Sequence, residues 1–229
     1  MITLCIETAT ARTGVALTRN GQLVAESLFD TPGGRQNRLL MPDLQRLLQE
    51  CDITPDRIDL FACSNGPGSF TGIRTGIAAI QALALAHQKP CAGLSTLAML
   101  AMNLPFAAFT VCPMLDARKN EVYAALYQVN EIPLPLLADR VIAPADFLQQ
   151  LDQPTLFVGD GAVRYRDLIR EILGDKAHFA PGPLQVVRPS AGCLLAEDLH
   201  QRGYSVQPEK LLPTYLRLSE AELSRQQKI

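Results

Sequence analysis

The sequence predicts an α/β fold, and three observations carry the prediction. Short apolar runs of strand length alternate with longer segments whose apolar residues recur at helical spacing. The second half of the chain repeats the logic of the first, and mixed strands and helices in this rhythm belong to α/β architectures. Composition agrees: 48% hydrophobic and 19% charged residues suit a folded globule, and 229 residues are ample for one or two small cores.

The elements follow in order. Ile2–Glu7 reads as a buried strand. Residues 13–18 and 22–29 flank Asn20-Gly21, a strong two-residue hairpin signal, so the opening is three strands with the second and third antiparallel. Thr31-Pro32-Gly33-Gly34 is a loop. Residues 38–51 then place Leu40, Leu44, Leu47, Leu48 and Cys51 on one helical face, with Asp43, Arg46 and Glu50 opposite. A strand at 60–64, a glycine-rich turn and a helix at 73–86 come next. Residues 90–93 form a short strand, and Ser95 caps a helix ending near Pro105. Beyond it, strands at 109–115, Glu121–Val129 and 136–142 precede a short helix at 146–151. A strand at 155–159 and helices at 163–173 and 190–202 complete the pattern. The tail from Gln207 is polar after Arg217 and is expected to fray.

Several function classes are disfavoured at once. Twenty-one basic residues against 23 acidic ones leave a net charge of −2, which gives no global electrostatic reason for tight nucleic-acid binding. Six cysteines are scattered without a C-x-x-C pair, several inside apolar strand-like runs, so a reducing, cytoplasmic location is expected. The chain opens directly on a strand with no basic segment or cleavage site before it, and no signal peptide is expected. Residues 92–115 lack formal charge, but Ser95, Thr96, Asn103 and Pro105 interrupt them. A core helix followed by a core strand explains that stretch better than a membrane span, which needs about 20 unbroken apolar residues.

The stretch that organises the chain is Asn65-Gly66-Pro67-Gly68-Ser69-Phe70-Thr71-Gly72-Ile73-Arg74-Thr75-Gly76. It lies between an apolar strand and a helix. Ser69 or Thr71 can cap that helix, and Gly66, Gly68 and Gly72 allow close backbone approaches. The G-K-[ST] ending of a P-loop is missing, and the glycine spacing does not fit G-x-G-x-x-G. Two readings stay open: a capped turn where a helix crosses a sheet, or an anion site on free N–H groups.

As a signature the same residues are sharper. Gly-Pro-Gly-Ser-Phe-Thr-Gly-Ile-Arg resembles the hallmark of the TsaB (YeaZ) family, bacterial paralogues of the TsaD tRNA-modification enzymes. The likeness extends to Leu4-Cys5-Ile6-Glu7-Thr8-Ala9-Thr10, Leu94-Ser95-Thr96-Leu97, Asp116-Ala117-Arg118-Lys119-Asn120-Glu121-Val122-Tyr123 and Pro213-Thr214-Tyr215-Leu216-Arg217. These blocks run in family order over nearly the whole chain. The resemblance implies an actin-like (ASKHA, ribonuclease-H-like) fold of two related lobes, which we divide near Pro105 into residues 1–105 and 106–229. It also implies a subunit that pairs with TsaD, with the ATPase TsaE joining the pair. That complex forms threonylcarbamoyladenosine beside the anticodon, meets tRNA only as a complex, and leaves this chain a possible homodimer when TsaD is absent.

No cofactor, catalytic residue or metal is expected. Glu7-Thr8-Ala9-Thr10 and Asp116-Ala117-Arg118 match the nucleotide loops of the actin-like fold but lack the glycines a phosphate site needs, and Gly159-Asp160-Gly161-Ala162 is at most an echo of its adenosine turn. The TsaD enzymes hold a metal with two histidines four apart on one helix face. Here His87, His178 and His200 are never so spaced, and Arg35-Gln36-Asn37 stands where such a helix would carry them. No G-x-S-x-G elbow supports a nucleophile. The competing class is a stand-alone ATPase, phosphotransferase or metallopeptidase.

The helix at 73–86 gives the last clue. Ile73, Ile77, Ile80 and Ala84 form one stripe, while Ala78, Ala82 and Leu85 fill much of the opposite arc. A helix apolar nearly all round is buried on more than one side, either within its own domain or between its sheet and a partner. The resemblance favours the partner, and the expected partner-binding residues are Leu39, Leu40, Leu44, Leu47, Ile73, Arg74, Ile77, Ala78, Gln81 and Ala82.

Overall fold

The computed structural model describes residues 1–31 and 36–217. Most of the loop expected after Thr31 and the polar tail beyond Arg217 lie outside them.

The first sheet is built from β1 (Ile2–Glu7), β2 (Arg12–Arg19), β3 (Gln22–Asp30), β4 (Leu60–Gly66) and β5 (Cys91–Ser95), in the order β3-β2-β1-β4-β5. β2 and β3 pair antiparallel through a turn in which Asn20 and Gly21 both take positive φ, as the hairpin signal requires. β1, β4 and β5 run parallel. The second sheet repeats this plan with β6 (Thr110–Arg118), β7 (Glu121–Val129), β8 (Pro133–Ile142), β9 (Thr155–Val158) and β10 (Ala177–Phe179), in the order β10-β9-β6-β7-β8. Each sheet is an antiparallel three-strand meander followed by two parallel strands on the other side of its first strand.

Strand alternation decides which face meets which layer. Leu4, Ile6, Phe61 and Cys63 pack with α1 (Gln36–Glu50) and α2 (Phe70–Ala86) on the outer face of the first sheet. Cys5, Ala16, Leu60 and Ala62 face inward, toward α7 (Pro189–Gln201). In the second sheet Val111, Leu115, Tyr123 and Ala125 face inward against α3 (Thr96–Ala101). Cys112, Met114, Val122 and Ala124 face outward, toward α4 (Pro144–Leu148), α5 (Asp160–Arg164) and α6 (Arg166–Leu173). The inner faces share one apolar core through α3 and α7.

Three elements differ from the sequence reading. The helix expected at 163–173 is two helices, broken at Tyr165. β10 has only three residues, too few to leave a periodic signal. A cut at Pro105 separates the two sheets, but α7 returns to pack on the first one.

Candidate functional site

The glycine-rich turn is docked on the β1–β2 loop. Ser69 caps α2, its hydroxyl accepting from the Gly72 N–H at 3.3 Å. The Ser69 N–H donates to the Ala9 carbonyl at 2.7 Å, and the Thr8 hydroxyl donates to the Gly72 carbonyl at 2.7 Å. A Cβ at Gly72 would run into the Thr8 carbonyl, so this crossing needs glycine. Gly66, at φ +127°, lies in the same way beneath the Thr214 carbonyl. The backbone of the expected first nucleotide loop is thus occupied by the chain's own turn.

Acidic groups gather at the strand ends. Glu7 is buried, accepts from the Thr10 N–H at 3.0 Å through Oε1, and leaves Oε2 without a partner. Burial pushes its pKa up to about 7. The Ser64 hydroxyl is close enough to soften the shift but falls short of a hydrogen bond, and the Thr10 and Ala9 N–H groups soften it further. In the second lobe Asp116 pairs with Arg164 at 2.6 Å, and its N–H donates to Asp160 at 3.0 Å. Burial raises the Asp160 pKa as well. Among the described residues no three His, Cys, Asp or Glu side chains come together as a metal site would need.

The expected partner residues fall into three groups. Leu40, Leu44, Leu47, Ile73 and Ile77 are buried against the first sheet. Leu39, Arg74, Ala78 and Ala82 are exposed on the outer side of the two helices. Gln81 is half-buried, and its amide donates to the carbonyls of Pro208 and Leu211 at 2.9 and 3.0 Å. Arg74 donates to the Tyr215 hydroxyl at 2.7 Å and lies over its ring.

Two apolar residues that the periodicity did not single out as contacts stand on the same outer side. Met41 is 49% exposed and Leu85 is 60% exposed. At Met41 lies an open cavity of about 680 Å³, whose apolar lining is Met41, Pro42, Leu44, Leu48, Ile53, Pro55 and Leu83. Met41 and Leu85 lie off the buried stripes, and that offset is the signal that marks them.

A family model for TsaD, tRNA N6-adenosine threonylcarbamoyltransferase, matches residues 35–224. The tRNA threonylcarbamoyladenosine biosynthesis protein TsaB of Bacillus subtilis is 31% identical over 226 residues, covering 97% of this chain and 96% of that protein. The chain belongs to the TsaB family. YeaZ from Pseudomonas aeruginosa superposes with a TM-score of 0.81 at 28% identity, covering 94% of this chain and 99% of its own. The ROK hexokinase of Thermus thermophilus, at a TM-score of 0.51 and 11% identity over 89% of this chain and 100% of its own, shares the actin-like fold and no more. The fold and family expected from the signature blocks are those found. The blocks also meet in space: the glycine turn sits on Thr8 and Ala9, Thr214 bonds Asn65, and Arg217 reaches Ala117 and Glu121.

Proposed function

We propose that this chain is a non-catalytic subunit that pairs with TsaD and supports threonylcarbamoyl transfer to the adenosine beside the anticodon of tRNA, in the cytoplasm. One observation carries the reading. α2 has a single charged residue, Arg74, yet its own sheet covers only the Ile73, Ile77, Ile80 and Ala84 side. Ala78, Ala82 and Leu85 are left open on its other side, and Leu39 and Met41 are exposed on α1. An apolar face rimmed by polar residues is how a protein interface looks before its partner arrives.

The cleft supports the absence of catalysis. Its first loop carries no glycine and is covered by the chain's own turn. Its buried acid, Glu7, has one oxygen tied to the backbone of that loop. TsaE would join the TsaD pair, tRNA would meet the complex and not this chain alone, and the same open face would close a homodimer when TsaD is absent. Reconstituted tRNA modification tests the whole reading. Product is expected to fall sharply when this chain is omitted from a mixture of the other components. Unchanged product without it, or nucleotide turnover by the purified chain alone, would overturn it.

A further inference from the structure

The segment after α7 crosses from one lobe to the other, and named contacts hold it at every stage. Val206 exchanges both backbone hydrogen bonds with Cys91 at the edge of β5, at 2.7 and 2.9 Å. Gln81 of α2 then takes the carbonyls of Pro208 and Leu211. At the end of β4, Asn65 donates to the Leu212 carbonyl at 3.2 Å and receives the Thr214 N–H at 2.7 Å. Tyr215 packs its ring 4.9 Å from Phe70 and takes the Arg74 guanidinium on its hydroxyl. Two residues later Arg217 donates to the Ala117 carbonyl at 2.9 Å and pairs with Glu121, both on the β6–β7 hairpin of the second lobe. Beneath this crossing Pro67, Gly68 and Phe70 face Tyr123 with no room for a water molecule.

We propose that residues 206–217 are an interlobe clamp, fixing the angle at which the two sheets meet and coupling the glycine-rich turn to the β6–β7 hairpin. Two lobes over a cleft commonly move by hinge or shear, and a segment spanning both opposes that motion in addition to the apolar core the inner faces share. Here the span is supplied by the chain itself, at the strand ends where Gly66 and Asp116 lie. The two ends of the clamp are unequal. On the first lobe four side chains and a β-bridge hold it, whereas its polar hold on the second lobe is Arg217. Release therefore begins at Arg217, and the turn and the hairpin loosen together. This does not depend on pairing with TsaD, because every contact is internal.

Hydrogen exchange of the full chain, read by mass spectrometry without any partner, tests it. Arg217→Ala is expected to speed exchange about tenfold in peptides covering 117–123 and also in those covering 65–76, while α6 is unchanged. Coupling is reciprocal, so Arg74→Ala on the first lobe is expected to speed exchange at 117–123 as well, by less than Arg217→Ala because Asn65, Gln81 and the Cys91 bridge still hold that end. Should Arg217→Ala lose protection everywhere through unfolding, Glu121→Gln must give the paired response instead. Faster exchange confined to the mutated end in these variants, or no change at either end, would overturn the clamp.

Discussion

The two sheets have the same strand order, but the helices on their outer faces are opposite in character. In the second lobe α6 buries Ile169 and Leu173 while Arg170 and Glu171 face water, and Arg166 lies over the Phe179 ring at 4.3 Å. Its outer side is dressed for solvent. In the first lobe α2 buries a comparable stripe and presents Ala78, Ala82 and Leu85 outward, with no acidic residue along its length. Topology was duplicated and the outer chemistry was not. The lobe whose outer helix is poorly suited to water is the lobe we propose for the partner.

The comparison breaks most visibly with a charge on either side of α2. Ile77→Glu places an uncompensated carboxylate against the first sheet, where burial costs several kcal/mol, and the chain is expected to unfold. Ala82→Glu, about 140° away around the helix, puts the same charge on the open side. That variant is expected to keep its circular dichroism and melting point while losing co-purification with TsaD. If Ala82→Glu still binds, the partner face lies elsewhere.

Much of this was legible because its causes are local. Asn20-Gly21 announces a hairpin through backbone preferences alone, and Ser69 announces a cap. Periodicity also separates the two sides of α2, but it marks most strongly the side that meets the sheet. This is why five of the ten expected contact residues, from Leu40 to Ile77, lie in the core. Met41, a single apolar residue off the stripe, carries no period of its own and was not among them. The pairings of the clamp were illegible for another reason. Asn65 meets Leu212 across 147 positions and Arg217 meets Ala117 across 100, and such pairings leave no pattern in either segment. The break at Tyr165, at φ −101° and ψ 21°, likewise carries no Gly or Pro to announce it.

The buried acids sharpen the comparison next. Glu7 titrates near 4.5 when unfolded and at about 7 in the fold, because burial disfavours its charged form. The fold therefore prefers the protonated carboxyl. Its stability is fully present below about pH 4.5 and is lost as the pH rises to about 7, by about 3 kcal/mol. Glu7→Gln removes that dependence. Its advantage in chemical denaturation should be largest at pH 8 and vanish toward pH 4.5. A difference between the two proteins that does not change with pH would mean that Glu7 is solvated in the fold.

The smallest effect belongs to the outer side of α6, as a control for α2. Ile172 is 36% exposed in the last turn of that helix. Ile172→Lys gives up part of a half-covered side chain but gains a cation at the negative end of the helix dipole, worth about 0.3–1 kcal/mol. Lysine also keeps its stem over apolar neighbours while its charge reaches water. The terms nearly cancel, so stability should change by no more than about 0.5 kcal/mol, a shift of about 2 °C or less in melting point. Binding to TsaD should be untouched. Lost binding with an unchanged melting point would extend the partner face across both lobes and remove the contrast between α2 and α6.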